Sequence, residues 1–393
     1  MPRNIIKIYI ANFLTGLVFW YSVEKLFMYT IGIHAFGVSI NAVVLVIVTS
    51  IFDIPFGVLA DRWNRTYTLA LGILALGVGS LIAGLSHNLL MYAFGTAIYG
   101  LYICLTNGTF QAITYDSLKE AGKETSYARH QGISYGLFMA AIAVASPIGG
   151  LIAHSFGYRA TYYVSAGVCV VNALVILRMH EPSFHKLAAG VTLHQHIREA
   201  TKLIFSNKTL MYVSSILLVA GMLRSSLNEY AGLYFIAIGF GAIGSGWANG
   251  GKWLFGAIGQ FLASKMSRYF NWMIALFFIA FVIMSSWRTP LGLIFLATFS
   301  YGIVLNEAQA LAQQHINSSL RATVFSVINF GTSALMIPLG LAFGALAQRY
   351  SVFTAYQLFA LIGLVYFVIW LLWRRHMYVR PVQDVTIESM KLT

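Results

Sequence analysis

A small set of ionisable residues sits inside long apolar stretches of this sequence: Glu24, Lys25, Asp53, Arg224, Glu229, Lys252 and Glu307. An ionised side chain at the centre of a lipid-spanning helix costs roughly 2.5–3.5 kcal/mol on insertion scales, so such residues mark ion pairs or functional groups. A carboxyl group in an apolar, partly wet cavity can exchange protons near neutral pH, and a base at the same depth can pair with it. Proton exchange and charge pairing are therefore the chemistry on offer. No nucleophile–base arrangement stands out, so an enzyme is not expected. No G-x-x-x-x-G-K-[ST] occurs, so the energy source is an ion gradient or the substrate's own gradient. Cys104 and Cys169 lie in apolar segments without ligand spacing and read as packing residues. His194 and His196 are two apart, hence on different helix faces, and have no third ligand nearby, so no metal site is expected.

The elements that must position these residues follow from composition. Hydrophobic residues make up 59% and charged residues 9% of the 393 residues, against roughly 45–50% and about 25% in soluble domains. Such a chain is solvated by lipid, where a spanning helix needs roughly 20 mostly apolar residues. The predicted spans are Ile5–Phe27, Ile40–Val58, Tyr67–Ser86, Leu89–Ala112, Ile133–His154, Thr161–Met179, Leu210–Phe235, Ile243–Ser264, Trp272–Trp287, Leu291–Ala312, Thr323–Ala347 and Phe353–Trp373. The expected fold is an all-α membrane protein of twelve transmembrane helices with no sizeable soluble domain. The first span is too long, and lacks the small-residue site, to be a cleavable signal.

Lys and Arg fix the expected orientation. On these boundaries one set of span ends carries Arg3, Lys7, Arg62, Arg65, Lys119, Lys123, Arg129, Arg178, Lys265, Arg268, Arg321 and Arg374, among others, while the opposite ends carry Arg159, Arg288 and Arg349. The positive-inside rule then places both termini in the cytoplasm of a multi-pass protein of the cell inner membrane. It also accounts for the net charge of +13 without a nucleic-acid partner. The longest polar interruption, Glu181 to Thr209, divides the chain into a bundle over 1–180, a linker over 181–209, a bundle over 210–375 and a tail over 376–393. Within the linker, apolar residues at 193, 197, 200, 203 and 204 have helical spacing and predict a short amphipathic helix on the membrane surface.

At about 1.5 Å per helical residue, depth can be read along each span. Glu24 and Lys25 fall near the outer end of their span, where solvation is the plain expectation. Asp53 and Glu307 fall in the cytoplasmic half, Arg224 near the middle. Glu229 and Lys252 lie at similar depth in the outer half and form a plausible buried ion pair, while Arg224 is within reach of Glu307.

The densest stretch is Asp53 to Arg65, where an acid expected to be buried is followed by a charged turn. Its part Gly57-Val-Leu-Ala-Asp61-Arg62-Trp-Asn-Arg65 resembles the G-x-L-a-D-R-x-G-R loop between the second and third helices of the major facilitator superfamily. Asn64 stands where Gly is usual and Thr66 where a further basic residue is usual. Gly157-Tyr-Arg159, Tyr115-Asp116 and Arg321-Ala-Thr-Val-Phe-Ser326 are similar to further motifs of the family's bacterial drug-exporter-like members. Ser146-Pro-Ile-Gly-Gly150 is a degraded form of their antiporter motif, and Gln260 to Arg268 repeats the loop motif poorly, with Ser264 replacing the acid. The resemblance covers the whole chain. It implies two pseudo-symmetric six-helix bundles that rock about a central site.

The resemblance also implies roles. Gly57, Asp61, Arg62, Arg65 and Asp116 would form a conformational latch, Asp61 accepting at the positive end of the eleventh span and the arginines bridging to Asp116. Glu307 and Glu229, acids on the tenth and seventh spans, would couple proton entry to export; from depth alone, Asp53 is a second candidate, and Arg224, Lys252, Glu24 and Lys25 are candidate buried charge partners. Trp20, Tyr21, Tyr99, Tyr102, Tyr135, Phe138, Asn228, Tyr230, Trp253, Tyr301 and Asn306 are candidate cavity residues, suited to amphipathic or cationic small molecules. With 28 Phe and 22 Tyr, packing or contact with lipid is the competing role for each aromatic. Pro147, Gly149, Gly150, Pro338 and Gly340 are candidate hinges or close-packing points. The expected protein is a monomer without cofactor, driven by a proton gradient. An importer of the same fold and a non-transporting membrane sensor are the alternatives. Substrate, direction, and proton versus sodium coupling are not fixed by these residues.

Overall fold

The computed structural model describes residues 3–123, 126–182, 193–286, 291–316 and 320–374, without the side chains of 3, 54, 57–62, 128, 193–196, 286 and 321–322. Among the described residues there are helices and no strands, as a backbone without water requires, since each helix satisfies its own N–H and C=O groups. Among the described residues eleven segments are long and apolar enough to cross a membrane, and one of them, Ala242–Ser285 with 44 residues, contains two helices. Each of the twelve predicted spans is therefore found.

The chain divides into two compact units. One comprises Met1–Ala188 with Gly232–Leu254, the other Ala189–Ala231 with Phe255–Thr393.

In the first unit the opening span is not one helix. It is α1 (Arg3–Gly16), a 3-10 turn (Phe19–Ser22) and α2 (Glu24–Thr30). An irregular backbone at membrane depth must find partners in the protein. Here Phe19 N donates to Ser165 Oγ at 3.0 Å. The Phe19 carbonyl presses so close to Gly149 that a Cβ there would lie 1.9 Å from its oxygen. Gly149, a candidate hinge by sequence, is thus the seat of this break. The unit continues with α3 (Ala35–Arg62), α4 (Arg65–Leu85), α5 (Leu89–Thr106), α6 (Thr109–Glu120), α7 (Tyr127–Phe156) and α8 (Tyr158–Leu177). The fourth span is broken between α5 and α6 at Asn107-Gly108, where Gly108 has φ 75°. Asn64 and Asn88 start α4 and α5 as N-caps, accepting from Tyr67 N and Met91 N at 2.9 Å each. α4 is the central helix. It buries Ala70, Gly72, Gly77, Gly79, Ala83 and Gly84, small residues that let helices approach where no hydrophobic effect drives them together, and it packs against α5 and α8.

The second unit opens with α9 (Leu193–Ser206), the amphipathic helix expected in the linker. Among its described side chains Ala200 and Ile204, one turn apart, are buried, and it packs against α14 (Arg321–Arg349). α10 (Lys208–Ala237) begins in this unit and α11 (Ala242–Met266) ends in it, while their adjoining stretch Gly232–Leu254 belongs to the first. α12 (Phe270–Ser286), α13 (Gly292–Gln314) and α15 (Val352–Trp373) complete it, with α12 against α13 and α15. Pro147 and Pro338 lie inside α7 and α14, each of which runs as one helix. Gly340 faces the Tyr230 hydroxyl, which would lie 2.7 Å from a Cβ there.

Candidate functional site

At one end of the first unit stands a charge cluster. Arg65 at the start of α4 pairs through Nη1 with Asp116 Oδ2 on α6. Beside it Glu181, just past α8, accepts from Arg65 N at 3.0 Å, Thr66 N at 2.8 Å and Thr66 Oγ1 at 2.7 Å. A carboxylate on the free N–H groups of a helix start satisfies orphan donors and complements the positive dipole end. Both motif departures now have a cause: Asn64 is the N-cap of α4, and Thr66 is a donor to Glu181. His180 Nε2 lies 3.5 Å from Glu120 Oε1, and Asn4 bridges Ser117 Oγ at 2.6 Å and the His180 carbonyl at 3.1 Å. Arg65 and Asp116, two of the residues expected in a latch, are thus paired. The backbone of Gly57, Asp61 and Arg62 continues α3, and their side chains lie outside those described.

At the other end of this unit a second polar network is buried. Lys25 Nζ is 2.8 Å from Glu24 Oε2, with side chains 7% and 15% exposed. Tyr92 on α5 donates to Glu24 Oε1 at 3.2 Å, and its hydroxyl shares a hydrogen bond with Tyr162 on α8 at 2.9 Å. Glu24 and Lys25, expected near the water, are therefore enclosed, because α5 and α8 bring tyrosines over them. Trp20 stacks flat on Tyr162 with centroids 5.3 Å apart and donates from Nε1 to Ser80 Oγ at 2.9 Å. It is a packing residue of the bundle, 6% exposed, and a correction to the cavity expectation. Asp53 is a further correction: its side chain is exposed, not buried, and accepts from Asn107 Nδ2 at 3.1 Å where the fourth span breaks.

The aromatic candidates separate into groups. Tyr102, Tyr99, Trp20, Tyr21 and Trp253 run as a chain of neighbouring rings, with centroids 5.5, 5.8, 5.9 and 6.1 Å apart in turn. Tyr135 and Phe138 pair on α7 at 6.1 Å. The Lys252 ammonium lies 5.7 Å from the Trp253 ring. In the second unit Tyr230 stacks on Phe343 at 4.1 Å and is 1% exposed, which makes it core rather than lining. Asn306 Nδ2 is held by the carbonyls of Gly302 at 3.2 Å and Gln260 at 3.4 Å, and Asn228 is half-buried on α10.

The acids of the second unit are on α10 and α13. Glu307 is 7% exposed, and among the described residues it has no hydrogen-bond or ion-pair partner. The Arg224 guanidinium stands 5.2 Å above the Tyr301 ring, on the same helix as Glu307 and less than two turns before it. Glu229 is half-buried. It belongs to the second unit and Lys252 to the first, so their pairing stays a proposal.

The sequence pattern of the Major Facilitator Superfamily matches residues 8–341. This chain belongs to the Major Facilitator Superfamily. It is 28% identical over 148 residues to an uncharacterized transporter of Buchnera aphidicola, covering 37% of this chain and 36% of that protein. It is 24% identical over 243 residues to the multidrug resistance protein MdtG of Escherichia coli, covering 59% of this chain and 57% of that one. The chain spans about a third of the length of the first curated relatives it matches. Its fold is that of a solved point mutant of the nucleoside transporter NupG, with TM-score 0.77 at 16% identity over 94% of this chain and 99% of the other. The twelve-helix, two-bundle layout of the superfamily is thus the layout of this chain. The loop motif falls where α3 gives way to α4. Sequence reasoning missed Glu181, Tyr92, Tyr162 and Ser80, whose polar partners lie far away in the chain.

Proposed function

We propose that this protein is a secondary active transporter that works by alternating access, exporting small amphipathic or cationic molecules in exchange for protons. The observation that carries the reading is Glu307, a carboxyl group enclosed in a spanning helix with no described partner. A lasting charge at such a place is costly, whereas a group that takes a proton when enclosed and gives it up when wetted has a reason to be there. Glu229, and more distantly Asp53, are the further coupling candidates, and the Arg224 guanidinium stands over Tyr301 on the Glu307 helix. The rings of Tyr102, Tyr99, Tyr21 and Trp253, set around the packed Trp20, support an amphipathic or cationic substrate, since ring faces attract cations within about 6 Å.

In this reading 1–180 and 210–375 rock as two bundles and 181–209 links them; the tail expected over 376–393 lies outside the described residues. Both termini face the cytoplasm of a bacterial inner membrane, the protein works as a monomer, and no cofactor is required. The Arg65–Asp116 pair, with Asp61 and Arg62, latches the cytoplasmic side and is broken in each cycle. Everted membrane vesicles energised by respiration test this with ethidium as the probe. Energised vesicles with the protein accumulate ethidium, an uncoupler abolishes the accumulation, and Glu307→Gln abolishes it too. Uncoupler-insensitive accumulation overturns proton coupling. Proton-driven accumulation confined to right-side-out vesicles overturns export in favour of import.

A further inference from the structure

The buried Glu24–Lys25 pair is not explained by the transport roles above. Neighbouring residues on a helix do not face each other, so this pair is not an ordinary helix-surface ion pair. Both side chains are held in place by what surrounds them. Glu24 is held by Lys25 and by Tyr92, which is itself bonded to Tyr162. Lys25 is held by α10: its stem lies against Gly232, where a Cβ would come within 2.6 Å of Lys25 Cγ and 3.1 Å of its Cβ. Only a residue without a side chain leaves that space. Charged groups on the neighbouring helices include Arg159, whose guanidinium lies 5.7 Å from the Phe27 ring and bonds the Ser86 carbonyl and His87, Lys252 beside Trp253, and Glu229, one turn before Gly232 on α10.

The stretch that covers Lys25 is also seated along α7. Asn249 Nδ2 donates to Ser146 Oγ at 2.9 Å, and Gly150 approaches the backbone of Ala242 and Gly246. Ser146, Pro147 and Gly150 of the degraded motif thus face this seam. Lys25 is enclosed on condition that Gly232–Leu254 stays on α2 and α7.

We propose that Glu24, Lys25 and Gly232 form the lock of a gate at the membrane face opposite the Arg65–Asp116 latch, with Gly232–Leu254 as the moving part. The proposal rests on the alternating-access reading for its purpose. With the gate closed, Lys25 is desolvated and depends on Glu24 as its counter-charge. Removing one partner of a buried pair leaves an uncompensated charge, whereas replacing both by apolar isosteres is nearly neutral. Neutralising Glu24 alone therefore opens the gate, and neutralising both residues closes it again. A side chain at residue 232 wedges the gate open by displacing the Lys25 stem.

The test needs no substrate. Ser245 on α11 lies in the seam, 1% exposed, with a hydroxyl that has no partner among the described residues, so Ser245→Cys is a gentle probe. Right-side-out vesicles carrying the full chain with Ser245→Cys are treated with a membrane-impermeant maleimide; the parent's buried Cys104 and Cys169 set the background. Glu24→Gln and Gly232→Val are each expected to raise the labelling rate tenfold or more, and combining them adds little. The double variant Glu24→Gln with Lys25→Met is expected to return to the slow parental rate, which a misfolded protein does not do. Unchanged labelling in Glu24→Gln, or fast labelling that persists in the Glu24→Gln, Lys25→Met pair, overturns the lock. Failure of the ethidium assay with these labelling results intact would sink the transport reading and leave the lock standing.

Discussion

Glu181 offers the sharpest single perturbation. Its carboxylate carries three hydrogen bonds from the first turn of α4: Arg65 N at 3.0 Å, Thr66 N at 2.8 Å and Thr66 Oγ1 at 2.7 Å. Hydrogen bonds to charged groups contribute roughly 1.5–3 kcal/mol each when enclosed. Glu181 is half-buried, so water replaces part of what Glu181→Ala removes. Thr66, 4% exposed, has less access to water and keeps more of its loss. A local destabilisation of about 2 kcal/mol follows for Glu181→Ala, and about half of that for Glu181→Gln, which keeps an acceptor without the charge. At about 1.4 kcal/mol per tenfold, this corresponds to exchange roughly 30-fold faster at the amides of Arg65 and Thr66. Hydrogen–deuterium exchange of the purified protein, followed in peptides covering 64–70, measures it. The start of α5, capped separately by Asn88, is the internal control. Exchange at the start of α4 within twofold of the parent would refute the assignment of Glu181 as its cap.

Three other outcomes follow from the geometry. Asn64→Ala removes the N-cap of α4 and is expected to destabilise it by about 1 kcal/mol, with Asn64→Gly costing only a few tenths, read as Tyr67 amide exchange. Trp20→Phe loses the bond to Ser80 and leaves that hydroxyl enclosed, which costs about 1–2 kcal/mol; thermal stability falls while the KM for ethidium stays put, since Trp20 packs the bundle instead of lining a cavity. Asp116→Asn breaks the pair with Arg65, so kcat for ethidium transport falls with KM little changed, and exchanging the charges by Arg65→Asp with Asp116→Arg restores part of it.

The spans and the loop motif were legible because both are written in consecutive residues: apolar runs of spanning length, and an acid between basic residues at a helix junction. The amphipathic α9 was legible for the same reason, in its 3.6-residue period. Breaks inside the spans were not foreseen, although Asn107-Gly108 is a turn signal and Gly108 takes the positive φ such a turn needs. Depth along a span was a poor guide to burial. Glu24 and Lys25 lie near the end of their span, and Tyr92 and Tyr162 enclose them from helices more than sixty residues away. Asp53 lies deeper, yet it is exposed and accepts from Asn107 at the α5–α6 break. Glu181 was hidden likewise, its donors lying 115 and 116 residues earlier.

The most direct measurement of the central claim uses purified protein in liposomes loaded with a pH-sensitive dye, with an imposed proton gradient and ethidium on the trans side. Proton-coupled export requires proton movement that depends on ethidium and runs against it, and that is lost in Glu307→Gln. Ethidium-dependent proton movement at the full parental rate in Glu307→Gln, or ethidium transport without any proton movement in the parent, would contradict it.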